Sequence, residues 1–438
     1  MTGSTIAAIA TPAGRGGVSI IRISGPGARQ AALCITQPEL ELVPRAAMLC
    51  DWHDASGDVL DSGILLYFPA PHSYTGEDVI ELQGHGSPIL MQALLERLFD
   101  LGCRAAEPGE FTRRAVENSK MDLSQAEAVA ACIDAATLRA GKQAQRQLSG
   151  ELGRQIDELM QRLTGLVAHV EATLDFPEEE IPDLYFSRLK EDMEAQVTEP
   201  LCRLLASAPL GERLFDGATV AIVGAPNVGK SSLLNILAGR DRAIVSDVPG
   251  TTRDVLEVDF EVHGIPVRLA DTAGLRSSDN AIEQEGVRRA MKTAEQADAV
   301  ILVSDATRPE TWGGQQSADL YLMNKVDLTK LQIPKPYLPI SVKDNQGIEI
   351  LRDRLAALLG DIDLSEETVL VTRERHRQAL QEALELIQNG LHRLGSEDEL
   401  DLVAMDWRRA WSSLGTILGI GDVEYILDRV FAEFCIGK

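Results

Sequence analysis

Positive charge is in short supply in this 438-residue chain: 42 Lys and Arg stand against 67 Asp and Glu, a formal net charge of −25. A surface of that sign does not coat a nucleic-acid duplex nonspecifically, because such binding runs on clustered cations. A local basic pocket, or a partner that presents a nucleic acid, remains compatible with it. Cysteine is sparse and unpatterned. The six thiols, Cys34, Cys50, Cys103, Cys132, Cys202 and Cys435, form no CxxC pair, which fits a reducing, cytoplasmic compartment. No apolar run approaches the ~20 residues of a membrane span. The short Ile6–Ala10 stretch has no basic segment ahead of it, so neither membrane insertion nor export is expected. What the chain does have is 45% hydrophobic and 25% charged residues, enough to bury a core in each of two or three domains.

Four stretches differ in pattern. Residues 1–118 mix the β-rich runs Val18–Ile23 and Gly63–Phe68 with Gly- and Pro-rich turns and read as an α+β domain. Residues 119–213 turn helical. Ile156, Leu159, Met160, Leu163, Leu166, Val167 and Val170 recur at i, i+3, i+4, i+7, one apolar stripe that needs a partner. The acidic run Asp175–Pro182 reads as a helix stop and a solvated loop, since proline cannot continue the backbone ladder. Residues 214–363 alternate strands and helices: Thr219–Val223, a hairpin pattern from Val258 to Leu269 around His263-Gly264, Ala299–Val303 and Leu320–Met323. Such alternation predicts a mainly parallel sheet covered by helices. Over residues 364–438 a helical stripe returns with Leu380, Ala383, Leu384, Ile387 and Leu391. The simplest topology inserts the α/β domain into a helical one whose two halves bury each other's stripes. The expected fold class is multidomain α+β, with an N-terminal α+β domain, a helical domain and an inserted P-loop α/β domain.

The inserted domain carries the chemistry. Gly224-Ala-Pro-Asn-Val-Gly-Lys-Ser231 is GxxxxGK[ST] set between an apolar strand and the helical run Leu233–Leu237, the context that a phosphate-binding loop requires. Asn227, Val228 and Gly229 shape the turn, Lys230 reaches the β/γ oxygens, Ser231 ligates Mg²⁺, and Ser232 follows in the helix whose N-terminus faces the anion. Asp271-Thr272-Ala273-Gly274 ends a strand, where the carboxylate can hold the magnesium hydration shell and the Gly274 amide can sense a γ-phosphate. Asn324-Lys325-Val326-Asp327 ends another. The Asp327 carboxylate can accept two hydrogen bonds from the N1 and N2 donors of guanine. Adenine lacks the second donor, and a site built around such groups rejects a ligand that leaves them unpaired, so GTP is favoured over ATP. Ser341-Val342-Lys343 sits where a third base-facing loop is expected.

Together these motifs resemble the translation-factor-like class of P-loop GTPases, with Gly250-Thr-Thr-Arg-Asp254 at the switch I position. That resemblance implies that Thr252 completes the Mg²⁺ shell and that Thr251 lines the loop beside it. Position 275 is Leu where Ras-like enzymes place a water-orienting Gln. A leucine cannot polarise water, so another group must serve, and Arg253, Arg276, Asp279 and Glu283 are the candidates.

Asn227, the GTTRD loop, Gly14–Gly17, Thr75–Asp78 and the terminal Phe434-Cys-Ile-Gly-Lys438 resemble, over essentially the whole chain, the MnmE (TrmE) family of bacterial tRNA-modification GTPases. The resemblance implies a potassium ion held by Asn227 and the loop Ser246, Asp247, Val248 to Thr251, standing in for an arginine finger. It also implies that Glu283 positions the attacking water through a second water. The N-terminal domain would be folate-binding-like and join two subunits into a homodimer. Arg22, Glu81, Lys120 and Lys438 would contact a tetrahydrofolate derivative, 5,10-methylene- or 5-formyl-tetrahydrofolate. Cys435 has two readings, a thiolate assisting one-carbon transfer or a buried structural thiol. By this resemblance the protein hydrolyses GTP to GDP and phosphate. With the FAD-dependent partner MnmG, in a heterotetramer or larger complex, it adds an aminomethyl or carboxymethylaminomethyl group at C5 of the wobble uridine of certain tRNAs. A ribosome-assembly GTPase switch is the alternative, since such proteins carry a similar G domain. They usually append a small basic module, which this chain lacks.

Overall fold

A computed structural model describes residues 3–36, 40–175, 183–240, 257–271, 297–308, 318–360, 370–395, 399–421, 423–432 and 434–437. The chain falls into two units, Met1–Ala130 with Gly415–Lys438, and Ala131–Leu414.

The first unit is built on β1 (Ile6–Ile9), β2 (Gly16–Ser24), β3 (Met48–His53), β4 (Val59–Phe68), β5 (Val79–Gly86) and β6 (Arg104–Ala105), in the order β3-β4-β5-β2-β1-β6. The pairs are antiparallel except β1 with β6. Period-two alternation sends Ile21, Ile23, Leu65, Tyr67, Ile80 and Leu82 to one face, where α1 (Ala28–Ile35) and α2 (Pro88–Asp100) cover them. On the other face Ile6 and Ala8 meet Phe111 of α3 (Glu110–Glu117). The register sets Arg22 opposite Glu81. α4 (Leu123–Asp134) follows. The segment after Leu414 belongs to this unit. Its helix Glu424–Ala432 is tied to α3 by Arg113, whose Nη1 donates to Asp428 Oδ1 at 2.7 Å. Gly109 lies beneath Phe431 and Phe434, each 2.9 Å from where a Cβ would stand.

The second unit opens with α5 (Leu138–Leu148), α6 (Glu151–Asp175), α7 (Asp183–Met193) and α8 (Glu199–Asp216). The apolar stripe of α6, from Ile156 to Val170, is buried as its spacing predicts. Between α7 and α8 the residues Glu194–Thr198 wind as a π-helix. Pro200 has no N–H to offer the Gln196 carbonyl in an α-helical register, and Arg162 Nη1 of α6 donates to that carbonyl at 3.2 Å.

A second sheet then interrupts the helices: β7 (Ala218–Val223), β8 (Glu257–Val262), β9 (Ile265–Asp271), β10 (Ala299–Asp305), β11 (Leu320–Asn324) and β12 (Leu338–Pro339), in the order β12-β11-β10-β7-β9-β8. It is parallel but for the β8–β9 hairpin. α9 (Lys230–Arg240) and α10 (Ile348–Leu358) belong to this layer, and α11 (Glu374–Arg393) and α12 (Leu400–Leu418) resume the helices. Leu210 and Leu214 of α8 share one core with Val220, Phe260, Leu269 and Leu370. α8 and α11 are joined by Glu212 and Arg377 at 3.2 Å. Arg408 of α12 donates to Glu171 of α6 at 2.6 Å. In α11 the seam differs from the expected stripe. Ala383, Leu386, Ile387 and Gly390 are buried, while Leu384 and Leu391 are half-buried at its margin. The phase is set by Gly390, where a Cβ would come within 2.2 Å of the Trp407 indole nitrogen.

Candidate functional sites

β7 lies between β9 and β10, both parallel to it, so chain order reverses on either side and a cradle opens beyond its carboxyl end. Two glycines shape that cradle. At Gly224 (φ +151°) a Cβ would sit 2.3 Å from Val303 O, and at Gly229 (φ +102°) 2.3 Å from Asn324 Nδ2. Lys230 is buried and curls over the loop, donating to the carbonyls of Gly224 at 2.6 Å and Ala225 at 2.9 Å. A polyphosphate would offer its ammonium a charged and stronger acceptor. Ser231 and Ser232 are exposed in the first turn of α9, whose N–H groups and dipole favour an anion.

The base-facing side is stapled to this loop. Asn324 donates from Nδ2 to Val228 O at 2.8 Å and accepts the Val342 N–H at 3.2 Å, so one buried amide fixes the 227–231 and 341–343 segments together. Lys325, held at φ +65°, donates to Asn227 O at 2.8 Å and to Asp305 Oδ2 at 2.6 Å. Asp305 also accepts the Thr307 N–H and hydroxyl on Oδ1. Burial pushes the Asp305 carboxyl up, but Lys325 and Thr307 outweigh it and hold the group below the ordinary carboxylate range. Ser341 Oγ donates to Asp327 Oδ1 at 2.8 Å, which orients a carboxylate suited to the paired donors of guanine. Lys343 is exposed.

The structure thus gathers Asn227, Val228, Gly229, Lys230, Ser231 and Ser232 with Asn324, Lys325, Asp327, Ser341, Val342 and Lys343. Asp271 ends β9 beside Ile222 of β7. Ser246, Asp247, Val248, Thr251, Thr252, Thr272, Ala273, Gly274 and Glu283, together with Arg253, Arg276, Asp279, the acidic run 176–182 and Lys438, lie outside the described residues. Asp305 escaped the sequence reading. Its signal was positional: it ends β10 as Asp271 ends β9 and Asn324 ends β11.

In the first unit Arg22 reaches across the β2–β5 register to Glu81 Oε1, from Nε at 3.0 Å and from Nη2 at 2.9 Å. The guanidinium lies 5.4 Å from the Tyr74 ring centroid and 5.7 Å from that of Phe111. Its Nη1 donates to Gly437 O at 3.3 Å. Gly437 is needed there: φ is +101°, and a Cβ would stand 2.6 Å from Ile9 O. Gln83 Nε2 is 3.5 Å from Glu81 Oε2. Lys120 is directed elsewhere, its Nζ donating to Pro71 O at 3.0 Å. The Cys435 carbonyl accepts the Gly109 N–H at 3.4 Å, and the residue is exposed. Tyr74, Phe111 and Gln83 carried no sequence signal, because only strand register and the returning C-terminus bring them to Arg22.

Among the described residues no helix is long and apolar enough to cross a membrane. Residues 5–120 match the family model described as the GTP-binding protein TrmE N-terminus, and residues 123–435 match that of the MnmE helical domain. The tRNA modification GTPase MnmE of Parvibaculum lavamentivorans is 46% identical over 99% of this chain and 100% of its own length. The proteins of the same description from Dichelobacter nodosus and Stutzerimonas stutzeri are 45% and 43% identical, each over 99% of both chains. With its P-loop cradle in place and both family models matched along nearly its whole length, the chain belongs to the MnmE (TrmE) family of tRNA modification GTPases.

Proposed function

We infer that the protein is a GTPase whose hydrolysis of GTP serves tRNA modification. The observation that carries this is the double staple of Asn324 and Lys325, which joins the phosphate loop to the base-facing 341–343 segment. The full-length likeness to tRNA modification GTPases favours this reading over the ribosome-assembly switch. Mg²⁺ would neutralise phosphate charge, held by Ser231 and Thr252, and the exposed Ser231 hydroxyl at the start of α9 fits that role. A K⁺ ion would take Asn227, Ser246, Val248 and Thr251, with Glu283 orienting the attacking water. Asn227 at φ +64° on the exposed rim of the loop is compatible with it.

A tetrahydrofolate derivative would supply a one-carbon unit for C5 of the wobble uridine. The residues fit such a group: Glu81 is an acceptor for amidine-like donors, Arg22 a cation, and Tyr74 and Phe111 apolar faces. Lys120 and Lys438 would serve its anionic tail, and the exposed Cys435 would assist the transfer. A homodimer is supported by exposed apolar side chains on one sheet face, where Leu49, 80% exposed, pairs with Ile64, 38% exposed. MnmG, as partner in a heterotetramer or larger complex, would present the tRNA that a −25 chain binds poorly alone. A cytoplasmic location follows from that substrate. The divisions at 118/119, 213/214 and 363/364 remain our placement of the functional modules.

Nucleoside analysis of tRNA from a strain lacking the gene tests the reading. Loss of the C5 wobble-uridine modification is expected. Intact tRNA with accumulated ribosomal RNA precursors would favour the switch instead.

A further inference from the structure

The β8–β9 hairpin has two ends with different neighbours. At one end β8 emerges from the segment carrying Gly250–Asp254, and β9 runs to Asp271 of the Asp-Thr-Ala-Gly motif. The two strands therefore join the two sequence motifs that would sense the γ-phosphate. At the other end, about 20 Å away at the rise of an extended strand, lies the His263-Gly264 turn. That turn is seated on the N-terminus of α5. Thr137 Oγ1 donates to Gly264 O at 2.7 Å, and Arg139 Nη1 donates to His263 O at 2.9 Å. Gly264 is at φ +85°, and a Cβ on it would come within 2.6 Å of Arg139 Cβ, so the turn and the helix are in direct contact.

Both acceptors are backbone carbonyls, which have no rotamer to absorb a displacement. If the hairpin slides, α5 follows it or loses these bonds. The same helix also grips the strap by which the chain leaves the α/β layer: Thr372 Oγ1 donates to Gln147 Oε1 at 3.0 Å, and Gln143 Nε2 lies 3.5 Å from Leu370 O. Val371 N–H donates to Ser207 Oγ of α8 at 3.1 Å. α5 is therefore held to the nucleotide-binding layer at its first turn and again along its length.

We propose that α5 is the element through which the nucleotide state is read by the helical domain, with Thr137 and Arg139 as positioning residues that clamp it to the hairpin turn. This rests on the GTPase reading above. A coupling of this kind needs contacts that differ between two states, and the two carbonyl contacts at the end of the hairpin are the ones assigned that role.

The test uses the full-length protein loaded with GDP or with a non-hydrolysable GTP analogue, and follows amide hydrogen exchange over residues 138–148. The variant Thr137→Asp/Arg139→Ala keeps an oxygen to cap the helix, since Thr137 also accepts the Ala140 N–H, but removes both donors to the turn. The parental protein should show nucleotide-dependent protection in the first turn of α5. The double variant should lose that difference, keep GTP hydrolysis within about twofold, and lose wobble-uridine modification by about tenfold. Thr137→Ser, which keeps the donor, should behave as the parent. The proposal is overturned by nucleotide-independent exchange in the parent, by an undiminished difference in the double variant, or by loss of GTP hydrolysis in step with modification. A parent that shows the nucleotide-dependent difference yet modifies no tRNA would sustain the transmission and sink the tRNA reading.

Discussion

Asp305 shows how much of the nucleotide site depends on side chains that hold its loops to one another. Its carboxylate holds Lys325, and Lys325 holds the Asn227 carbonyl. Asp305→Asn should therefore weaken GDP binding by about tenfold, on the ~1.5–3 kcal/mol scale of a charged hydrogen bond, as titration calorimetry would register. Gly229→Ala should do more, because a strained φ adds to a Cβ clash with Asn324, and binding should fall below detection in the same assay. A parental affinity in either variant would contradict the staple. The pH dependence of folding belongs to this scale too. Burial pushes Glu110 up, but Arg104, the Glu107 N–H and Arg114 outweigh it and hold the group low, as Lys325 and Thr307 do for Asp305. Folded-state values below the unfolded ones mean that this stability is complete above the unfolded range near pH 4 and lost as pH falls through the folded values. Thermal unfolding should be level from about pH 7 to 5 and drop below about pH 4. A drop already complete at pH 5 would exclude these carboxylates as the cause. The P-loop and Asn324–Asp327 were legible in sequence because their chemistry is local. Arg22 and Glu81 were named singly and only by resemblance, and their pairing was not legible, since 59 residues separate them and a strand register alone unites them.

Helix packing shows where pattern reading succeeds and where it stops. The α6 stripe was readable because seven apolar positions hold the helical period. The seam of α11 was misplaced by a fraction of a turn, because Leu384 and Leu391 look apolar while the deciding residue, Gly390, looks like a helix defect. An exposed Gly→Ala in a helix gains about 1 kcal/mol. At Gly390 the added methyl meets the Trp407 indole, and overpacking of this kind costs ~1–3 kcal/mol. Gly390→Ala should therefore lower the denaturation midpoint in urea. A raised midpoint would show that α11 and α12 can part without penalty. The π-turn ahead of α8 had a sequence cue in Pro200, but the hydrogen bond from Arg162 to the Gln196 carbonyl depends on where α6 lies.

For the whole molecule, alternating strands and helices between two helical stretches announced an inserted α/β layer. The return of residues 415–438 to the N-terminal unit had no local signal, because the bonds that tie it, Arg113 to Asp428 and Arg22 to Gly437, join residues hundreds of positions apart. The proposed potassium site makes a prediction at this scale. At matched ionic strength, GTP hydrolysis in K⁺ should exceed that in Na⁺ by at least roughly tenfold, and equal rates would remove the ion from the mechanism. In the proposed function, cleavage of GTP in the stapled cradle drives a reaction on tRNA. It is tested by the yield of C5-modified wobble uridine from purified protein, the proposed flavin-dependent partner, the proposed folate donor and unmodified tRNA, with GTP or with a non-hydrolysable analogue. Modified nucleoside should accumulate with GTP and not with the analogue, and equal accumulation with both would show that cleavage does not drive the reaction.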